Sequence, residues 1–266
     1  MTEKLRLCLL VEETVTQWQL RAIRRLLSER NAEISLLVVN QRPSLSRAEK
    51  LSRALELREW LGVALLLSLE DRLTTRTGLD QSTLIDDVPE FDGVDRVSCV
   101  PEEINGWKYR IPENVVERAE READVAALFG FGFIVGPILS AFEHGVLSFH
   151  HGDLREYRGQ PMGFWEYLHG EDEAGVTLQR INDTLDGGEI IYLKRVDISD
   201  AGRWRDVKQA LLAASTDMLS EGIRRVQDDS FTPDRPTDLG DLYTIPKGKP
   251  VGKFVAKTLA NTVTSR

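Results

Sequence analysis

The stretch GVLSFHHGDLREYRG, from Gly145 to Gly159, places His150, His151 and Asp153 close together. A second stretch, INDTLDGG, brings Asp183 and Asp186 beside a pair of glycines. Imidazoles and carboxylates in such patterns support metal ligation or general acid–base work at an ordinary imidazole pKa of about 6.5. They also occur in a turn that merely holds its imidazoles by hydrogen bonds. Adjacent residues on a strand point to opposite faces, so His150 and His151 diverge unless a turn intervenes. With no further histidine cluster in the chain, that spacing argues against a metal centre.

The elements around these residues define their setting. KLRLCLLVEE reads as a buried strand, TVTQWQLRAIRRLLSER as an amphipathic helix and AEISLLVVN as a second strand. A strand-helix-strand start predicts a mainly parallel sheet covered by helices on both faces. SRAEKLSRALELREWLGVALLLSL reads as a helix, DRVSCV as a strand and PENVVERAEREA as a helix with Pro112 near its start. DVAALFGFGFIV reads as a central strand running into a glycine-punctuated loop, GPILSAFEHG as a short helix stopped by Gly145, and VLSFHH as the next strand. His150 therefore falls at a strand's carboxyl end, where open parallel sheets collect ligands. A helix, PMGFWEYLHG, and two strands joined by TLDGG follow. The region from Trp204 to about Val226 is helical, and a turn-rich, loosely structured tail with a basic end completes the chain.

Composition narrows the function classes. The 266 residues, 41% of them hydrophobic, suffice for one large core, and a formal charge of -9 disfavours nucleic acid as a partner. Cys8 and Cys99 sit in apolar runs without metal or disulfide spacing and read as buried thiols of a cytoplasmic protein. No basic-apolar leader opens the chain, and no run approaches the roughly 20 apolar residues of a membrane span.

Three elements together resemble the N-terminal catalytic domain of the formyltransferase family: FGFGFIVGP, SFHHGDLREYRG and GVTLQRINDTLDGGEII. That family, which includes methionyl-tRNA, glycinamide ribonucleotide and sugar-amine formyltransferases, pairs an Asn-x-His element with a Leu-Asp-x-Gly-x-Ile-Ile element. The resemblance is good from Val125 to Ile191 and weak over the first strand-helix-strand unit. It implies that His150 takes the catalytic histidine's place and Asp186 the catalytic aspartate's. It also implies that Phe133, Ile134, Val135 and the loop containing Asp183 hold the pterin of 10-formyltetrahydrofolate. Tyr157-Arg158-Gly159 becomes a structural turn. The His-His-x-x-x-Asp element of condensation-type acyltransferases is not met, because Asp153 comes two residues too early.

This chain departs from the family pattern in three places. Ser148 stands where the family has asparagine, replacing an amide donor by a shorter, rotating hydroxyl. His151 stands where proline or glycine is usual; it either lines the site, against the acceptor, or faces solvent. Glu12 and Glu13 occupy the turn where glycinamide ribonucleotide enzymes have a glycine-rich phosphate cradle, so that turn suits a cationic amine better than a phosphate. Asp153 reads as a turn-former, and His144 and His169 as helix-end residues whose imidazolium suits the dipole. Trp165 and Tyr167 read as helix packing, and the tail lysines as a solvated end.

The resulting expectation is a formyltransferase-like domain over residues 1–196 with a helical extension and basic tail over 197–266. It moves a formyl group from 10-formyltetrahydrofolate to a primary amine of a small molecule, such as an amino sugar. His150, Asp186 and Ser148 act on the formyl group without a metal, and no membrane or nucleic acid takes part; the oligomeric state is left open. A hydrolase using the same site, or a silent folate-binding relative, are the alternatives.

Overall fold

The structure is a computed structural model that describes residues 4–30, 32–43, 60, 63 and 78–264. A seven-stranded sheet forms its centre, built of β1 (Leu5–Val11), β3 (Ala32–Asn40), β5 (Arg96–Cys99), β8 (Val125–Leu128), β10 (Val146–His150), β12 (Glu173–Arg180) and β13 (Glu189–Asp197). Their order is β13-β12-β10-β8-β1-β3-β5, and the short strands β2 (Thr14–Thr16), β4 (Ser82–Leu84), β6 (Glu102–Ile104), β7 (Lys108–Arg110) and β9 (Phe133–Val135) pair outside it. All neighbours from β10 to β5 run parallel, while β12 and β13 are antiparallel. The mainly parallel α/β architecture expected from the sequence is the one found.

β1 shows why the sheet sits in the middle. Leu5, Leu7, Leu9 and Val11 enter one core, and Cys8 and Leu10 the other. A strand covered on both faces needs this unbroken apolar run rather than alternation. On the first face lie α1 (Gln17–Ser28), α4 (Trp204–Ser215) and α5 (Met218–Val226), with Ile23, Leu211 and Ile223 fully buried. On the second lies α2 (Glu113–Glu122), through Val115, Val116 and Ala119. α1 begins where the Gln19 side chain accepts the Thr16 backbone N–H at 2.7 Å, satisfying a helix-start donor. Cys8 and Cys99 are buried and unbridged, as read.

Several local readings change. The helix expected over Ser46–Leu69 lies outside the described residues, apart from Trp60 and Val63. GPILSAFEHG forms only a 3-10 turn, Pro137–Ser140, because the chain must drop into β10 after a Gly145 in left-handed conformation. The helical stretch after Trp204 breaks into α4 and α5. Tyr157–Gly159 is a strand, β11, paired in parallel with β14 (Asp241–Tyr243). The tail is not loose, since α6 (Lys249–Thr264) docks on α3 (Phe164–His169) and buries Phe254 completely between Phe164 and Trp204. Lys257 belongs to this packing, donating to the Tyr167 carbonyl rather than ending in solvent. Ile198, Trp204, Leu211, Ile223 and Phe254 thus belong to the core that covers one face of the sheet.

Candidate active site

β10 and β12 build one wall. Their antiparallel register sets Ser148 opposite Gln179 and His150 opposite Thr177, so all four side chains occupy one face of the sheet. Thr177 is committed, its hydroxyl donating to the Gly152 carbonyl at 2.8 Å. The others, with Phe133, Ile134 and Met162, line a cavity of about 860 Å³. Because Ser148 sits in the middle of β10, the cavity spreads over the sheet face and is not confined to the strand's carboxyl end.

The His150 ring is bound on both edges. Nδ1 lies 3.3 Å from Asp186 Oδ1, and Nε2 lies 2.8 Å from the Tyr157 carbonyl oxygen. Both partners are acceptors, so only the imidazolium satisfies both. Burial opposes that charge, but the Asp186 contact, the Tyr157 carbonyl and the charge of Glu166 together hold the pKa above its ordinary value. Burial likewise opposes the Asp186 anion, and His150, the Gly159 N–H and Arg158 overcome it, holding that carboxyl below its usual range.

Asp186 reaches His150 because its loop is pinned. Its own backbone is left-handed, φ 45°, a conformation that a short polar side chain tolerates. Asn182 donates to the Gly187 carbonyl at 2.9 Å and accepts the Thr184 N–H at 2.8 Å. From β11, Gly159 donates its N–H to Asp186 Oδ2 at 2.9 Å, and Arg158 donates to the Leu185 carbonyl at 3.2 Å and the Gly240 carbonyl at 2.8 Å. Tyr157-Arg158-Gly159 therefore positions the carboxylate from a strand, not from a turn.

The remaining sequence candidates fall in different places. Phe133 and Ile134 line the cavity together with Thr184, Leu185 and Asp186; Val135 is absent from the lining, and Asp183 is exposed. Glu12 is absent from it too. Its Oε1 accepts from Asn40 Nδ2 at 3.0 Å and from the Phe131 N–H at 3.1 Å. Phe131 has φ 74°, costly for a bulky residue, so the Glu12 carboxylate braces a strained loop instead of facing a substrate. Asp153 is buried, accepts the Arg155 N–H and pairs with Arg195 at 2.7 Å, consistent with a turn. His169 packs against Tyr157, Trp165 and Tyr243, and burial and Lys253 lower its pKa, so the expected dipole-bound imidazolium is a neutral ring.

His150 and His151 do diverge. His151 turns toward Trp18 and Ser215, yet it still borders the cavity. Burial and the neighbouring His150 push its pKa down to about 3, so it is neutral. Ser215 spends its proton on the Leu211 carbonyl at 2.9 Å, and its oxygen must therefore accept from His151 Nε2–H at 3.1 Å. That fixes the tautomer and leaves Nδ1 as an acceptor. Behind His150, Glu166 is 3% exposed with its Oε1 unpartnered, and burial pushes its carboxyl up to about 7.

Sequence reading missed Gln179, the Tyr157 carbonyl and the segment Leu242–Ile245, all of which border the His150 site. Only the register could find Gln179, since it requires knowing which β12 residue faces Ser148. Backbone groups leave no trace in residue type.

Comparison with known proteins gives this arrangement a lineage. A methionyl-tRNA formyltransferase from Rhodopseudomonas palustris is 27% identical over 135 residues, covering 50% of this chain and 44% of that protein. One from Geobacter sulfurreducens is 32% identical over 136 residues, covering 47% and 43%. The match thus spans less than half the length of these relatives. Among solved structures, glycinamide ribonucleotide transformylase 1 from Symbiobacterium toebii aligns with a TM-score of 0.57 at 18% identity, covering 91% of this chain and 96% of that one. An N-formyltransferase from Helicobacter canadensis, in complex with folinic acid and dTDP-3-aminofucose, aligns with a TM-score of 0.57 at 12% identity, covering 96% and 80%. A formyltetrahydrofolate deformylase from Pseudomonas syringae aligns with a TM-score of 0.56 at 16% identity, covering 90% and 67%. These structures share the fold. The family model described as "Formyl transferase" matches residues 63–223, more than half of the chain, and the chain belongs to that family.

Proposed function

We propose that the chain transfers a formyl group from 10-formyltetrahydrofolate to the primary amine of a small molecule, an amino sugar being the leading class. The observation that carries this reading is the buried His150–Asp186 pair, 3.3 Å apart on the wall of a cavity large enough for a pterin. Nothing in the reaction needs a covalent enzyme intermediate, and the pair supplies its two demands, a positive donor and a proton carrier.

The cavity fits the donor. Its lining is largely apolar, with Phe133, Ile134 and Met162 beside Thr184 and Leu185 of the Asp186 loop, the mix of apolar surface and a few polar groups that a pterin requires. When bound, the folate supplies the formyl group. The His150 Nδ1–H then faces the carbonyl oxygen as it gains charge. At 3.3 Å its bond to Asp186 is longer than the 2.7–2.9 Å of a strong charge-assisted bond, so that N–H can be shared with a second acceptor. Asp186 keeps the imidazole charged and passes the amine's proton, through water, toward the leaving nitrogen. Neutral His151 offers Nδ1 to an N–H of the acceptor. We place this chemistry in residues 1–196, with 197–266 completing the wall through Trp204, Lys208 and Tyr243.

The test is turnover of 10-formyltetrahydrofolate with a panel of primary amines that includes dTDP-amino sugars. Tetrahydrofolate release that depends on an amine supports the proposal. Formate release without any amine means hydrolysis at the same site, and no turnover under either condition overturns the reading.

A further inference from the structure

We infer that Gln179 is a catalytic hydrogen-bond donor of this site, its carboxamide serving the formyl oxygen alongside His150. The inference rests on the formyl-transfer reading above and assigns it a residue that motif matching passes over.

Gln179 stands directly opposite Ser148 in the antiparallel register of β10 and β12, on the same face as His150. Directly opposed Cβ atoms in such a pair lie about 4.5–5.5 Å apart, so both side chains reach the same volume, and the glutamine reaches further by two methylenes and an amide. It is 3% exposed and lines the cavity with Ser148, His150 and Asp186.

Its orientation is fixed by chemistry. The backbone N–H of Gly188 lies 3.0 Å from Gln179 Oε1. A donor there requires an acceptor, so the amide oxygen must occupy that end and the NH2 must occupy the other. The nitrogen has no hydrogen-bond partner among the described residues, and it is not sealed within protein. A buried carboxamide with its acceptor engaged and its donor unspent is a preorganised electrophile, costing no reorganisation when an oxyanion develops beside it. Gly188 is itself shaped for the contact, since a Cβ there would lie 2.8 Å from Gln179 Oε1 and 2.3 Å from the Arg180 carbonyl.

Ser148 makes the assignment specific to this chain. Its hydroxyl is held by no protein partner among the described residues, and a rotating hydroxyl is a weak fixed donor. The amide that the family pattern places at position 148 is supplied here from the facing strand.

The test uses the full chain with Gln179→Glu. The glutamate keeps an oxygen for the Gly188 N–H and nearly the same volume, but replaces the cavity-facing NH2 by an oxygen. The expected result is a kcat lower by about 10²-fold, with affinity for 5-formyltetrahydrofolate changed by less than about threefold. The carbonyl stretch of bound ¹³C-formyl-labelled 10-formyltetrahydrofolate should move to higher frequency as one hydrogen bond is lost. Adding Ser148→Asn to that variant should restore at least about tenfold in kcat by returning an amide to the same volume. Gln179→Met, which packs without donating, guards against a fold defect and should show the same kcat loss. An active wild-type protein whose kcat and carbonyl frequency ignore both substitutions overturns the Gln179 assignment alone. A wild-type protein that turns over no formyl donor overturns the reading beneath it.

Discussion

The backbone N–H of Gly159 is donated to Oδ2 of Asp186 at 2.9 Å. That one bond joins a strand edge to the carboxylate whose other oxygen meets His150, and it aims the Asp186 loop at the imidazole.

Asp186→Asn tests the carboxylate with volume conserved. The amide cannot carry the negative charge that supports the imidazolium, and kcat for formyl transfer should fall by roughly 10²–10⁴-fold. Binding of 5-formyltetrahydrofolate, measured by calorimetry, should survive. A kcat within threefold of wild type would remove Asp186 from the chemistry.

The same pair sets a pH window. His150, raised above 6.5, is charged in mildly acid solution, and activity should fall as pH rises through its elevated pKa. Asp186, lowered below 3.8, stays ionised until strongly acid pH. The pair's contribution to folding is therefore complete between 3.8 and 6.5, fading above as His150 deprotonates and below as Asp186 protonates. In Asp186→Asn the alkaline limb of the kcat profile should move to lower pH. An unmoved limb would mean that another group controls it.

Glu166 adds a second, alkaline loss of stability. Its carboxyl sits at about 7 when folded against an ordinary 4.5, so the folded state binds the extra proton. Stability from this group is complete below pH 4.5 and is lost as pH rises through about 7. Glu166→Gln should raise the Tm at pH 8, by up to roughly 3 kcal/mol of stability, and change it little at pH 5. Equal Tm shifts at both pH values would rule out a buried titrating carboxyl.

Gly159→Ala should be severe. The position has φ 90°, and a Cβ would lie 1.9 Å from the Tyr243 carbonyl oxygen. The added methyl must push β14 off β11, and Asp186 loses its anchor with it. Activity should drop by at least about tenfold even where circular dichroism shows a folded protein. Retained activity would show that the Gly159 bond does not place the carboxylate.

Phe254→Ala probes the docking of α6. The ring is fully buried against Phe164 and Trp204, and its removal should cost about 3–5 kcal/mol, read by chemical denaturation. A cost below about 1 kcal/mol would mean that the helix is not part of the folding unit.

Much of this fold was readable from apolar runs. Leu5–Val11 and Ala32–Asn40 are buried on both faces and could only be central strands, and the motif around His150 located the strand end. What stayed hidden depends on groups far apart in the chain. Glu12 looked like a ligand for a cation because sequence shows its charge but not Phe131, whose strained backbone consumes it. The β11–β14 pair was invisible because three residues carry no periodicity. The tail looked solvated because its lysines and glycines conceal the buried Phe254.

The pairing of β11 with β14 carries a consequence for how the protein comes into being. Tyr157–Gly159 finds its partner only at Asp241–Tyr243, made after both His150 and Asp186. A nascent chain that stops between Asp186 and Asp241 already holds the histidine and the aspartate but lacks the strand that pairs with the one anchoring their loop.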